Sequence, residues 1–94
     1  MKLEWDEAKR RATLQERGLD FAELHRIDWE TAMVSADQRS DYGEVRKIAF
    51  GLIDDRLVCM VFTIRTHALR VISLRKANSR ERKVYERFIN ETND

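Results

Sequence analysis

Apolar positions are densest between Arg56 and Tyr85, and their spacing changes twice within that stretch. Leu57 to Ile64 is an almost unbroken apolar run rich in Val and Ile, the pattern of a strand buried on both faces. After Thr66-His67 the run ALRVISLRKA alternates and predicts a second strand, with Arg70, Arg75 and Lys76 near its ends. NSRERKVYERF then returns at helical spacing. Asn78 stands at the cap and Glu81 at the third helical position. Val84 with Phe88, and Tyr85 with Ile89, form i,i+4 pairs on a stripe expected to pack on the sheet.

Upstream, Ile48, Phe50 and Leu52 alternate with Lys47, Ala49 and Gly51, so Val45 to Ile53 reads as a strand. Asp54-Asp55 is a two-residue connection and fixes the hairpin register. Leu52 then faces Leu57, Phe50 faces Cys59 and Ile48 faces Val61, and these six side chains share one apolar face. The next hairpin allows two registers. A two-residue turn at Thr66-His67 adds Ile72 and Leu74 to that face. A three-residue turn puts Val71, Ser73 and Arg75 there, because an odd shift inverts the faces. Burying an unpaired Arg costs on the order of several kcal/mol, which favours the two-residue turn. The second face then carries Lys47, Val58, Met60, Phe62, Val71, Ser73 and Arg75, a mixed surface suited to be the floor of a binding groove.

The first fifty residues are more polar. Met1 to Trp5 reads as an edge strand. Asp6 is a good N-cap for a helix DEAKRRATLQER that stops at Gly18, a residue suited to a left-handed C-terminal position. That helix has a thin apolar stripe and a basic surface, including Lys9, Arg10, Arg11 and Arg17. A second helix opens at Asp20 with Glu23 three residues on, and buries Phe21, Leu24 and Ile27. Trp29 to Val34 is ambiguous between helix and strand; Ala32 to Ala36 is read as a short strand. Asp37 to Gly43 is a polar loop, and Glu91 to Asp94 a frayed tail. With no proline, repeat or low-complexity stretch, residues 1–94 are expected to form a single α+β domain. Its layout is a small antiparallel sheet with two N-terminal helices and one C-terminal helix.

Charge changes the picture by its distribution. The formal net charge is only +1, yet cations far outnumber acids from Arg56 to Arg87, and acids dominate from Asp20 to Glu44. Such a split suits a basic face for an anionic partner; it also suits a sheet end dressed with solubilising arginines. The one cysteine, Cys59, lies inside the apolar strand and reads as a small hydrophobe. The start MKLEWDEAK is not a signal peptide, and no apolar run approaches the ~20 residues of a membrane helix. An intracellular protein is expected.

Candidate chemistry is narrow. His25 and His67 are far apart, and no spacing of a metal site or phosphate-cradling glycine loop is present. No cofactor or metal is expected. Anion chemistry by cations remains. When a ribose 2′-OH attacks its neighbouring phosphate, charge develops on the non-bridging oxygens, and prepositioned Arg and Lys stabilise it. Tyr85, Glu44 or a lysine of lowered pKa could move protons. Equally, the arginines fit as strand-end residues and Tyr85 as part of the helix stripe.

WDEAK at the N-terminus, Leu14 with Gly18 and Phe21, YGE at Tyr42 to Glu44 followed by Arg46, FGLIDDRLVCMVFTIR, and above all RVISLRKANSRERKVYE resemble the BrnT family. These are toxins of type II toxin–antitoxin systems. The resemblance runs from about position 4 to 86, in the family's order. It implies a fold similar to RelE-type ribonuclease toxins, and RNA cleavage that inhibits translation and growth in the bacterial cytoplasm. It also implies neutralisation by a BrnA-type antitoxin with a ribbon-helix-helix part, whose complex with the toxin binds operator DNA. By position, the resemblance implies Lys9, Arg65, Arg75 and Tyr85 as contributors to catalysis. Arg46, Lys76, Arg80 and Arg82 fall to RNA phosphate, and Glu44 to proton transfer. The chain departs from the family pattern at Thr13 and Arg17, where Asn and His are usual, and at Ile64, where the central strand usually carries an acid. If those residues move protons, the alternative is a non-catalytic module that binds the antitoxin or RNA.

Overall fold

A five-stranded sheet in the order β1-β5-β4-β3-β2 carries the chain; the computed structural model describes residues 2–39 and 41–92. The strands are β1 (Lys2–Glu4), β2 (Met33–Ala36), β3 (Lys47–Ile53), β4 (Arg56–Arg65) and β5 (Ala68–Lys76). Helices α1 (Glu7–Arg17) and α2 (Ser79–Thr92) and a 3-10 helix, Phe21–Arg26, complete it. β2 to β5 pair antiparallel, as expected, and β1 joins β5 in parallel.

The local signals act as their chemistry predicts. Asp6 accepts from the N–H groups of Ala8 and Lys9 and so caps α1, and Gly18 closes that helix at φ +69°. Asp20 accepts from Ala22 N–H and opens the second element. That element is a single 3-10 segment rather than an α-helix, and Ile27 already has extended backbone. Asp54 enters the left-handed region at φ +56°, which suits a two-residue hairpin turn, and Leu52 faces Leu57 as the register requires. Asn78 and Glu81 cap α2 reciprocally: Asn78 Oδ1 accepts from Glu81 N–H at 2.8 Å, and Glu81 Oε1 from Asn78 N–H at 2.9 Å. α2 runs on through Glu91 and Thr92, where a frayed tail was expected. Met1, Asn93 and Asp94, parts of the expected edge strand and tail, lie outside the described residues.

The second β-hairpin corrects the sequence reading. Arg65 pairs with Ala68, so the turn at Thr66-His67 does have two residues. A register shift between Val61 and Phe62 then leaves Ile72 as an extra residue in β5. Beyond it Leu74 faces Met60 and Arg75 faces Cys59. The faces expected for Leu74, Ser73 and Arg75 are therefore exchanged.

The core follows from this exchange. Ala49, Ile53, Val58, Met60, Phe62, Leu69, Val71 and Leu74 pack with Leu19, Phe21, Leu24 and Ile27. Val58, Met60, Phe62 and Val71, expected to floor a groove, are buried in it instead. Gly51 lets the 3-10 segment approach β3, since a Cβ there would stand 2.9 Å from Ile27 Cδ1. Trp5 meets Phe21 edge to face, and Trp29 meets Phe62 in the same way. The α2 stripe is covered only in part. Tyr85 is buried, Phe88 and Ile89 are half-buried, and Val84 is exposed.

β1 pairs with β5 only from Ala68 to Arg70. Lower down, the Arg17 guanidinium of α1 donates to the Leu74 carbonyl at 2.8 Å. A departure from the family pattern thus serves the fold by satisfying a strand carbonyl. Arg17→Ala is expected to destabilise the chain by about 1 kcal/mol, read as a small fall in the urea midpoint with unchanged slope.

Candidate functional site

The sheet face opposite the core is built by alternation along three strands, β3, β4 and β5. Cys59, Val61, Thr63 and Arg65 alternate on β4; Phe50 and Ile48 face Cys59 and Val61 from β3, and Ser73 and Arg75 from β5. At its lower end this face is apolar, with Leu57, Cys59 and Val61 buried. At its upper end it is charged. Arg70 faces Thr63 and pairs with Glu4 at 3.8 Å. Thr63 Oγ1 donates to the Val45 carbonyl at 2.7 Å, and Asp37 N–H donates to the Arg46 carbonyl at 2.8 Å. These bonds hold the segment between β2 and β3 against the upper end of the sheet.

Glu44, Arg46 and Arg65 come together there. The Glu44 carboxylate lies 3.5 Å from Arg46 and 3.7 Å from Arg65. It serves two guanidiniums, each beyond good hydrogen-bond length. Arg46 also lies over the Tyr42 ring at 4.1 Å. Its Nε is buried, and the Glu44 carboxylate at 3.5 Å is the acceptor it faces, without a full hydrogen bond.

Arg75 occupies the lower end. Its guanidinium forks onto Glu81 of α2, with both bonds at 2.8 Å, and donates to the Lys76 carbonyl at 3.2 Å. The sequence reading moved Arg75 off the apolar face because an unpaired charge is costly there. The chain solves that cost differently, by bringing a carboxylate from the next helix. The Arg75 fork, helped by the Asn78 N–H, holds the Glu81 carboxyl well below its usual range, at about 2. Cys59, opposite Arg75, has its thiol pushed up by burial, as suits a small hydrophobe.

One further guanidinium was missed. Asp37, at the end of β2, has a fully shielded side chain and takes both bonds of an Arg39 fork, at 2.7 and 2.8 Å. The fork holds the Asp37 carboxyl down at about 2. Arg39 itself is 65% exposed. The stretch DQRSDYG gave only a polar loop; the usable signal was an Asp two residues before an Arg, a spacing too common to single out.

The remaining candidates stand apart from these groups. Lys9 is exposed on α1, with no ion pair among the described residues. Tyr85 is buried and its hydroxyl donates to the Thr31 carbonyl at 2.9 Å. Lys76 faces Val58 on the core side, at the strand end. Arg80 and Arg82 are exposed on the first turn of α2. Arg65 and Arg75 share a face but are separated by six residues of β4, about 20 Å at the rise of a strand.

Acid should expose the strong carboxylate pairs made by Glu7, Asp37 and Glu81, each with an arginine. A carboxyl held low in the folded state adds stability that is present above its unfolded pKa and lost as pH falls through the folded value. For Glu7 and Glu81 that window runs from about 4.5 down to about 2, and for Asp37 from about 3.8 down to about 2. Thermal melts of the wild type should fall across it. Glu81→Gln should fall less steeply; an identical slope would mean that Glu81 does not contribute.

A family model described as ribonuclease toxin, BrnT, of type II toxin-antitoxin system matches residues 5–81. The match ends at Glu81, so Arg82 and Tyr85 lie beyond it. No curated protein matches the chain.

Proposed function

The chain belongs to the BrnT family of ribonuclease toxins of type II toxin–antitoxin systems, and from that membership we propose that it cleaves RNA without a metal ion, using the arginine-bearing sheet face. The supporting observation is the grouping of Arg46 and Arg65 around a single Glu44, at 3.5 and 3.7 Å. A phosphate seated there meets donors already fixed in place, the condition under which charge stabilisation is strongest. Arg75, on the same face and held flat by Glu81, supplies a second anchor. Its separation from Arg65 corresponds to several nucleotides, so the two arginines act on different parts of one strand. Glu44, at hydrogen-bonding reach of the same phosphate, is assigned proton transfer.

Lys9 and Tyr85 receive other tasks. Tyr85 fastens α2 to the segment before β2 through the Thr31 carbonyl. Lys9, with Lys76, Arg80 and Arg82, adds attraction for the RNA backbone along the rim. The departures at Arg17 and Ile64 do not strip the proposed site. Arg17 is engaged with Leu74, and Ile64 alternates with Arg65 and faces Leu69, away from the arginine face. This favours the nuclease over the non-catalytic module.

A toxin of this type implies a cognate antitoxin. We assign that role to a BrnA-type ribbon-helix-helix protein that neutralises the chain and carries operator DNA binding for the pair, in the bacterial cytoplasm. Among the described residues no helix is long and apolar enough to cross a membrane. The test is induction of the chain in a bacterial host, alone and with the adjacent small reading frame, together with incubation of purified protein with RNA in excess chelator. Growth arrest relieved by the partner, and RNA products ending in 2′,3′-cyclic phosphate, are expected. Folded protein that neither arrests growth nor cuts RNA, yet binds the partner, would establish the non-catalytic module instead.

A further inference from the structure

The loose ion pairs of this chain gather in one place. Arg10, Arg26, Arg39, Arg56 and Arg75 hold their carboxylates at 2.6–3.2 Å. Arg46 and Arg65 stand 3.5 and 3.7 Å from Glu44, and Arg70 stands 3.8 Å from Glu4. Strand register explains the grouping of these last three. Thr63 of β4 pairs with Arg70 of β5, and Arg70 with Glu4 of β1. Arg65, two residues after Thr63, points to the same side and is a diagonal neighbour of Arg70, within reach of long side chains. Arg46 arrives from the other flank: Thr63 Oγ1 donates to the carbonyl of Val45, the residue just before it. The three arginines therefore stand around Thr63. Arg46 is 25% and Arg70 29% exposed, open to a ligand yet largely held in place. Lys2 lies on the Glu4 side of β1. Four cations thus share the carboxylates of Glu4 and Glu44, and neither carboxylate reaches full hydrogen-bond length.

We propose that Arg70 is the third arm of the phosphate seat formed by Arg46 and Arg65, and that one RNA phosphodiester above Thr63 binds all three. The inference rests on the RNA reading of this face. It adds a binding residue from β5 and makes Glu4 a carboxylate that competes with RNA for Arg70. A phosphodiester is free to settle where three guanidiniums converge, whereas Glu4 and Glu44 are tied to their own backbone positions. Its oxygens accept charge-assisted hydrogen bonds that these carboxylates leave unmade, and it offsets the surplus of positive charge. An Arg70–Glu4 pair that served only to strap β1 to β5 would have no bearing on RNA.

The test is binding rather than turnover. A short fluorescent 2′-O-methyl single-stranded RNA cannot be cut through its 2′ oxygen and still presents every phosphate. Its anisotropy is followed over a range of KCl with the wild type, Arg65→Ala, Arg70→Ala, the double variant and Glu4→Gln, each checked for folding by its urea midpoint. At fixed salt each single alanine variant is expected to bind roughly tenfold more weakly, the loss of a charge-assisted hydrogen bond. The double variant should fall well short of the roughly hundredfold product, because residues that share a partner are not additive. Glu4→Gln keeps the size of the side chain and removes the competing charge, so it should bind RNA several-fold more tightly.

Glu4→Gln binding no tighter than the wild type would overturn the competition and leave Arg70 a strap for β1; this outcome does not depend on how Arg70→Ala folds. Unchanged binding by folded Arg70→Ala, with Arg65→Ala weakened, would remove Arg70 from the seat while the RNA reading survived. Losses that multiply in the double variant would mean separate phosphates and would overturn the shared seat. No salt-dependent binding by the wild type would remove the RNA reading and the seat together.

Discussion

Arg75→Ala is expected to lower RNA cleavage by roughly 10²–10³-fold, the cost of removing one preorganised donor from a charge-stabilising site, and to abolish growth arrest. The fold should survive. Arg75 is 41% exposed, and α2 keeps its cap because Asn78 and Glu81 bond each other without the arginine. The loss of the fork leaves the largely covered Glu81 without its countercharge, so a fall in melting temperature should accompany the loss of activity. Arg75→Lys separates charge from geometry. It retains a cation but cannot fork onto Glu81, and most of the activity loss should remain. Full toxicity of Arg75→Ala, with confirmed expression, would remove Arg75 from the site.

Phe21→Ala is expected to destabilise the chain by about 3–5 kcal/mol. Phe21 has no exposed surface, belongs to the core cluster formed with the sheet, and meets Trp5 edge to face. For small domains total stability is about 5–15 kcal/mol, so the variant should melt tens of degrees lower or fail to accumulate. Phe21→Leu, which keeps most of the volume, should recover the larger part of the loss. A melting temperature within a few degrees of wild type for Phe21→Ala would contradict the packing described.

These effects fall on residues of unequal legibility. Phe21, Leu24 and Ile27 could be read as core directly, because their spacing has no other use in so polar a segment. The first β-hairpin could be read because Asp54-Asp55 leaves one register. Asn78 with Glu81 gave the start of α2. The face carrying Arg75 could not be read, since a bulge at Ile72 has no signature in ALRVISLRK; alternation alone gives the wrong parity beyond it. The argument against a buried Arg failed for a related reason. It priced Arg75 as unpaired, and its partner is six residues away across a chain turn. The cluster of Glu44, Arg46 and Arg65 was legible as candidate residues and not as a group, because the segment before β3 closes on β4 through Thr63 and Val45, a contact between distant positions. Arg39 was passed over altogether.

The pairing of β1 with the last strand, β5, bears on synthesis. Leu3 lies beside Leu69, and the fork that aims Arg75 comes from Glu81. A nascent chain therefore carries neither a paired β1 nor an oriented Arg75 until β5 and Glu81 have left the ribosome. Under the proposed function, a translation product interrupted before Glu81 lacks the carboxylate that orients Arg75 and is expected to be inert.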